Sequence, residues 1–227
     1  MKVRLALLAL TLLAGAAHAK DKPLPGDAEY RKALPFLAKA NEQIAGMDKA
    51  RAAGKSPEEA AKPFRTALSR NLNQAIPLLD QAARQKHPVA EFRLAQLLAD
   101  FVQDEQSQQR ACELLGDSLK QGFAPAALDL ETLCEAAAKA PSFARQAEAA
   151  ARSARYAKYF PQPSHALGWC QAERPMSLLA PKGDQRAYQA EVYMMLAGKA
   201  PKAKRADYLK RAADKGCEQA RTALAKP

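Results

Sequence analysis

Four cysteines give this chain most of its potential for redox or metal chemistry. They are separated by 21, 35 and 46 intervening residues, so they lack both the close ligand pairs that zinc sites favour and a C-x-x-C redox motif. An even number of cysteines in an exported chain is typical of disulfides, and export is what the amino-terminal residues indicate. We therefore expect no metal site and two disulfides, formed by Cys112, Cys134, Cys170 and Cys217.

Two histidines outside the first 19 residues, His87 and His165, are the imidazoles that could serve as general bases. His87 precedes Pro88 at a predicted turn, and His165 lies near a predicted helix start, so we interpret both as polar turn residues rather than catalytic ones. The chain has no H-E-x-x-H, no G-x-S-x-G, no phosphate-binding glycine loop and no complete S-x-x-K motif set. We predict that the protein is not an enzyme and requires no cofactor.

One stretch concentrates arginine with large aromatic residues, the types that dominate energetically important protein contacts. Helical spacing of aromatic residues is more often a sign of core packing, so packing between helices is the alternative interpretation. The stretch interrupts a regular pattern, and irregular inserts on a regular scaffold often carry function. The candidate partner-binding residues are Arg152, Arg155, Tyr156 and Trp169.

These residues must be positioned by a helical framework, which an internal repeat predicts. The segment 75–134 matches itself when it is shifted by 36 residues, and a period of this length is typical of stacked helix pairs. Each copy contains two helices separated by a turn, which falls at His87-Pro88 in the first copy and at Gly122 in the second. The helices of the second copy are expected over 109–121 and 124–139. No stretch alternates long enough to require a strand, so we expect no sheet.

A third copy lies at 187–224, where Ala212-Ala213, Gly216, Ala220 and Leu224 recur in register. This segment resembles the Sel-one-like repeat family, which belongs with the tetratricopeptide-like helical solenoids. The resemblance implies an all-α fold, a right-handed solenoid of stacked antiparallel helix pairs. It also implies a role in holding proteins together or binding one, without shared catalytic residues.

The repeat register also predicts which cysteines pair. A shift of 36 residues aligns Cys112 with Ile76 and Cys134 with Leu98, both apolar positions of an antiparallel helix pair. Counted from Gly122, the two cysteines lie level to within roughly 3 Å along axes that are about 8 to 10 Å apart. We expect a Cys112–Cys134 disulfide, and the other two cysteines then pair by elimination. The alternative is four reduced cysteines that pack as small apolar side chains.

The first 19 residues are typical of a secretory signal. Lys2 and Arg4 precede an apolar run over Leu5–Ala17, and Ala17-His18-Ala19 forms a small-x-small cleavage site. A run of this length is shorter than the roughly 20 residues that span a bilayer. We therefore expect cleavage after Ala19, a periplasmic or secreted location, and no transmembrane segment in the mature chain.

Domain organisation follows from the repeats and their interruptions. Ser56-Pro57-Glu58-Glu59 predicts a helix start, because serine caps, proline suits the first position and glutamate the third. Pro63 should bend or split that helix. The predicted divisions are a signal peptide (1–19), an N-terminal helical cap (20–72), two regular repeats (73–140), an irregular helical segment (141–183) and a C-terminal repeat (184–227).

The charge balance and the resemblance together suggest a function. The chain carries a net charge of +11, which in an exported protein favours acidic proteins, anionic lipids or cell-wall polymers over nucleic acid. We expect an exported protein that binds another protein, an acidic one included, either as a periplasmic scaffold or as an inhibitor or immunity protein. The alternative is a cell-wall-active enzyme, since cysteine-rich members of the family have been associated with penicillin binding.

Overall fold

Residues 23–102, 104–170 and 177–225 are described by the computed structural model of this chain. The predicted signal peptide lies outside these residues. Eleven α-helices make up nearly all of the regular structure in the described ranges, which confirms the all-α class. The helices are α1 (Asp27–Ala52), α2 (Pro57–Ala61), α3 (Arg65–Arg84), α4 (Pro88–Phe101), α5 (Glu105–Lys120), α6 (Pro125–Leu133), α7 (Glu135–Ala138), α8 (Phe143–Arg152), α9 (Gln185–Lys199), α10 (Lys202–Asp214) and α11 (Glu218–Ala225).

The expectation that the chain has no sheet is wrong in one detail. β1 (Gln162–Pro163) pairs antiparallel with β2 (Lys182–Gly183). Strands of two residues are too short to show the alternation by which a strand is recognised in a sequence. This ladder brings together two parts of the irregular segment.

The predicted helix start at Ser56 is confirmed by a complete capping box. The Ser56 hydroxyl accepts from the Glu59 backbone N–H at 3.3 Å, and the Glu59 carboxylate accepts from the Ser56 N–H at 3.0 Å. Pro63 lies between α2 and α3, where it splits the helical run as expected. The boundary placed between residues 72 and 73 falls inside α3, because this helix continues without a break from Arg65.

Both copies of the repeat fold as helix, turn and helix, as the sequence predicts. α3 packs against α4, α4 against α5 and α5 against α6, and the equivalent residues Leu79 and Leu115 are fully buried. At the second turn Gly122 has a φ of +90°, a left-handed conformation that glycine adopts without strain. The helix expected over 124–139 is divided into α6 and α7 at Cys134, whose φ of −131° and ψ of 68° are not helical.

The irregular segment folds back over the helices of the repeats. The Gln96 side chain on α4 donates to the Pro163 carbonyl oxygen at 2.9 Å. The Ser164 hydroxyl donates to the Asp129 carboxylate on α6 at 2.5 Å. Every residue of α4 from Pro88 to Leu98 is consequently buried. The side chains of Glu91 and Arg93 on that helix therefore face protein or an enclosed crevice instead of bulk water.

Two disulfides join parts of the chain that are distant in sequence. Cys112 on α5 bonds Cys134 at the end of α6 with a Cα–Cα distance of 5.7 Å, and Cys170 bonds Cys217 with 4.7 Å. These are the two pairs that the repeat register and elimination predict. Among the described helices, none combines the length and the apolar character that crossing a membrane requires.

Candidate functional site

Tyr156, one of the four candidate partner-binding residues, lies in the core. Its side chain is 2% exposed, its hydroxyl donates to the Gln121 carbonyl oxygen at 2.8 Å, and its ring packs edge-on against Phe123 with 5.7 Å between centroids. A partner that binds the surface cannot reach a side chain in this position. The packing interpretation therefore applies to Tyr156.

The other three candidates remain at the surface to different extents. Arg152 and Arg155 are exposed; Arg152 forms an ion pair with Glu148 on its own helix, and the Arg155 guanidinium lies 5.4 Å from the centroid of the Tyr156 ring. Trp169 is half-buried and packs against the core. Partner binding by these three residues stays a prediction.

His87 is a structural cap, in agreement with its interpretation as a turn residue. It is fully buried, its Nδ1 accepts from the Ala90 backbone N–H at 3.2 Å at the start of α4, and its ring stacks on Tyr30 at 4.8 Å. Burial lowers the pKa of His87 despite the nearby Asp27 carboxylate. His87 therefore stays neutral at physiological pH, with Nδ1 unprotonated and Nε2–H directed at Asp27, 3.4 Å away.

A surface concavity beside α1 was not among the sequence-based candidates. A groove is lined by α1, by α4 and by residues 158–165 and 178–182, and we call it the α1 groove. It consists of four adjoining cavities of about 480, 270, 70 and 440 Å³, in order along α1. Asn41 and Lys182 line three of the four cavities, and Tyr30 and Leu34 line both the fourth and its neighbour, so the cavities form one continuous feature.

The α1 groove combines exposed apolar side chains with basic ones. Leu34, Phe101 and Leu178 line it and are each more than 40% exposed, so three large apolar side chains meet water along one groove. Lys158 and Lys182 are exposed along its edge. Large apolar side chains that stay in contact with water and have polar neighbours are typical of protein interaction surfaces.

Acidic residues are also present in the α1 groove, but their carboxylates are partly engaged by other side chains. His165 lies 3.2 Å from the Asp100 carboxylate, and this hydrogen bond raises the pKa of His165. Glu42 lines only the cavity of about 440 Å³ at the end of the groove near Ala180. The centre of the groove therefore keeps its basic character.

Arg93 lies at the base of the α1 groove. It belongs to α4, is only 8% exposed, and lines the two central cavities of about 270 and 70 Å³. Within the described ranges we find neither a hydrogen-bond acceptor nor an ion-pair carboxylate at its guanidinium. Fully enclosed side-chain N and O atoms in these ranges all have partners, so the unpaired Arg93 nitrogens face the open space of the groove. Burial lowers the pKa of Arg93 from its ordinary value.

Sequence reasoning missed Arg93, although a signal for it exists. The residue interrupts an otherwise largely apolar run over Val89–Leu98, together with Glu91 and Gln96. Charged residues are almost never buried unless they are paired. A single arginine in this largely apolar stretch of α4 is therefore a candidate for a functional role.

Comparison with protein-family models, with curated proteins and with solved structures finds no match to this chain. The geometry and chemistry of the α1 groove are consequently the support for a function.

Proposed function

We propose that this protein is an exported helical-repeat protein that binds a partner protein in the α1 groove. The observation that carries the proposal is the exposure of Leu34, Phe101 and Leu178 along one groove with basic residues beside it. Burial of such side chains contributes roughly 25 cal/mol per Å² of apolar surface, and the basic residues favour a partner of acidic character. The role is binding, as a periplasmic scaffold or as an inhibitor or immunity protein.

The dimensions of the groove suggest what part of the partner enters it. Lining residues on α1 run from Tyr30 to Ala45, which at 1.5 Å rise per residue corresponds to about 22 Å. An extended chain covers that length with roughly six or seven residues. The cavities along the groove are too small to admit a folded domain but suit an extended segment with apolar side chains. We infer that the partner inserts such a segment.

The wider architecture is part of the same proposal. Sequential packing of α3, α4, α5 and α6, and of α9, α10 and α11, supports a right-handed solenoid of the Sel-one-like type. The two disulfides support an oxidising compartment, the periplasm or the exterior of the cell. Cleavage of a signal peptide after Ala19 belongs to this proposal and places the mature protein where it meets envelope or secreted partners.

Reconstituted binding with a matched pair of variants tests the proposal. The mature protein is used to capture its partner from an envelope fraction, and the purified pair is then titrated calorimetrically. Leu34→Glu removes an apolar contact inside the groove, so we expect affinity to fall at least tenfold. Leu133→Glu is the control, because Leu133 is similarly exposed, at 44%, but does not line the groove. Equal affinities for the two variants would place the binding surface elsewhere.

The same titration examines the arginine surface separately. Arg152→Ala with Arg155→Ala removes the two exposed basic candidates and leaves Tyr156 and the groove intact. If the α1 groove is the binding surface, we expect this double variant to bind within twofold of the parent protein. A tenfold loss in this variant, with Leu34→Glu neutral, would instead support the surface around Arg155.

A further inference from the structure

We propose that Arg93 is a receptor for one carboxylate, supplied by an aspartate or glutamate side chain within the extended segment that occupies the α1 groove. This inference rests on the proposed function and specifies the chemistry of the partner at its centre. The observation that carries it is an arginine residue that is only 8% exposed, lines the two central cavities of the groove, and has no hydrogen-bond or ion-pair partner among the described residues.

The Arg93 guanidinium has no acceptor within the described part of the protein, and its accessible nitrogens can donate to a ligand in the groove. Arginine has five N–H donors in a planar arrangement and no acceptor of its own, and removing such a group from water without a partner is costly. The carboxylates of Asp100 and Asp129 act on Arg93 through electrostatics, but neither forms an ion pair with it. A bound anion would supply the missing acceptors, and a carboxylate matches the guanidinium with two parallel hydrogen bonds.

The neighbouring polar groups are already committed to other contacts. The two oxygens of Asp129 accept from Gln96 at 2.9 Å and from Ser164 at 2.5 Å. The hydroxyls of Tyr30 and Tyr188 both contact Gln162, at 3.2 and 2.8 Å. These side chains hold the base of the groove in place without occupying the guanidinium. Its donors are thus arranged for a ligand from outside.

The position of Arg93 selects a side-chain carboxylate over a chain terminus. The residue lines the two central cavities, and larger cavities of about 480 and 440 Å³ continue the groove on both sides. A segment that lies along α1 therefore passes over Arg93 and continues beyond it. The apolar residues Leu34 and Leu178, on either side of the centre, would contact apolar side chains that flank the acidic residue.

Binding of defined peptides to the full mature protein, with both disulfides intact, tests this assignment. The probes are acetyl-Ala-Leu-Ser-Glu-Ser-Leu-Ala-amide, the same peptide with Gln for Glu, and the Gln peptide with a free C-terminal carboxylate. We expect the Glu peptide to bind at least tenfold more tightly than the Gln peptide. Three results would overturn the proposal. The Glu and Gln peptides could bind equally, neither could bind up to millimolar concentration, or only the peptide with a free C-terminal carboxylate could be preferred.

A variant assigns the discrimination to Arg93. Arg93→Met keeps most of the side-chain volume and removes the charge, and replacing a buried charge by an apolar group often preserves folding. We expect this variant to bind the Glu and Gln peptides equally. Lys55→Met, an exposed lysine that does not line the groove, is the control and should bind the Glu peptide at least tenfold more tightly than the Gln peptide, as the parent protein does. Discrimination that persists in Arg93→Met would show that another group recognises the carboxylate.

A second measurement does not depend on how any variant folds. In the native protein with ¹⁵N-labelled arginine, the Arg93 Nε–Hε resonance should shift with the Glu peptide and not with the Gln peptide. An unchanged resonance would contradict the proposal. The binding function and the role of Arg93 can fail separately. A captured partner that binds Leu34→Glu weakly but binds Arg93→Met normally would support binding in the groove and contradict only the role of Arg93.

Discussion

Glu91 provides a test of how strongly α4 is buried. The side chain is 1% exposed and accepts from Gln121 Nε2 at 2.6 Å. Burial, reinforced by the charge of Asp117, raises the pKa of Glu91 to about 7 from an ordinary value of 4.5. The folded chain therefore binds this proton more tightly than the unfolded chain. The resulting stabilisation is complete below about pH 4.5 and is lost as the pH rises through 7.

We expect Glu91→Gln to remove this pH dependence. Glutamine can still accept from Gln121, and it carries no charge that must be buried at high pH. At about 1.4 kcal/mol per unit of pKa shift, the parent should lose about 2.5 kcal/mol of unfolding free energy between pH 5 and pH 8 that the variant does not lose. Urea unfolding at these two pH values measures the difference, with the exposed Glu113→Gln as control. Parallel pH profiles for Glu91→Gln and the parent would contradict the expectation.

The Cys112–Cys134 disulfide should contribute measurably to stability. It closes a loop with a sequence separation of 22 residues, for which the chain-entropy account gives about 3 kcal/mol. We expect Cys112→Ala with Cys134→Ala to lose free energy of that order in urea unfolding. Non-reducing peptide mapping supplies the direct check, since a Cys112 peptide linked to either of the other two cysteines would show the pairing to be wrong.

Individual residues were predictable where a repeat gave them a register. The pairing of Cys112 with Cys134 follows from two equivalent positions in helices that face each other. The burial of Tyr156 and Arg93 was not predictable from the repeat, because it depends on the irregular segment, whose path is set by contacts distant in sequence. Tyr156 was a candidate anchor with core packing as the alternative, and it is buried; nothing was expected at Arg93.

At the scale of elements, the Asp48 carboxylate on α1 holds residues 177–179, which form one edge of the α1 groove, against α1. Asp48 accepts from the Ser177 hydroxyl at 2.6 Å and from the backbone N–H groups of Leu178 and Leu179 at 2.9 and 3.1 Å. Burial by itself would raise the pKa of Asp48, but these three hydrogen bonds outweigh it and the pKa is lowered. The hydrogen bonds from residues 177–179 to Asp48 are therefore strongest above the ordinary pKa of the carboxyl, and they weaken as the pH falls and the carboxylate is protonated.

We expect Asp48→Asn to loosen this edge while leaving the helices folded. Asparagine retains one acceptor oxygen but loses the charge and the second oxygen, so the backbone amides of Leu178 and Leu179 should exchange with solvent at least tenfold faster. Hydrogen exchange read by mass spectrometry measures the rates. Glu42→Gln on the same helix is exposed and serves as the control. Unchanged exchange in Asp48→Asn would indicate that other contacts position the edge.

Helices were predictable where their signals are local. The capping box at Ser56 and the break at Pro63 each depend on a few neighbouring residues, and both predictions are confirmed. The break at Cys134 and the ladder between Gln162 and Gly183 depend on tertiary contacts. Periodicity does not report such contacts, so the helix end and the strands were missed.

At the scale of the whole molecule, the irregular segment connects parts of the chain that a simple repeat stack would keep apart. The Tyr159 hydroxyl donates to Asp27 at the start of α1 at 2.8 Å, and Ser164 donates to Asp129 on α6 at 2.5 Å. Stacks whose units contact only their neighbours unfold in parts. Contacts between the irregular segment and distant helices oppose this behaviour.

We therefore expect the protein to unfold in one transition while its disulfides are intact. Trp169 is the only tryptophan in the sequence and packs against the core from within the irregular segment, so its fluorescence reports that segment while circular dichroism at 222 nm reports the helices. Both signals should change at the same urea concentration, and separate midpoints would contradict the expectation. Tyr159→Phe with Ser164→Ala removes the two connecting hydroxyls, so the fluorescence should change at a lower urea concentration than the circular dichroism. The control is Thr66→Ala at an exposed position, which should leave the two transitions coincident. Coincidence tests cooperativity directly, because a two-state molecule gives the same midpoint with every probe.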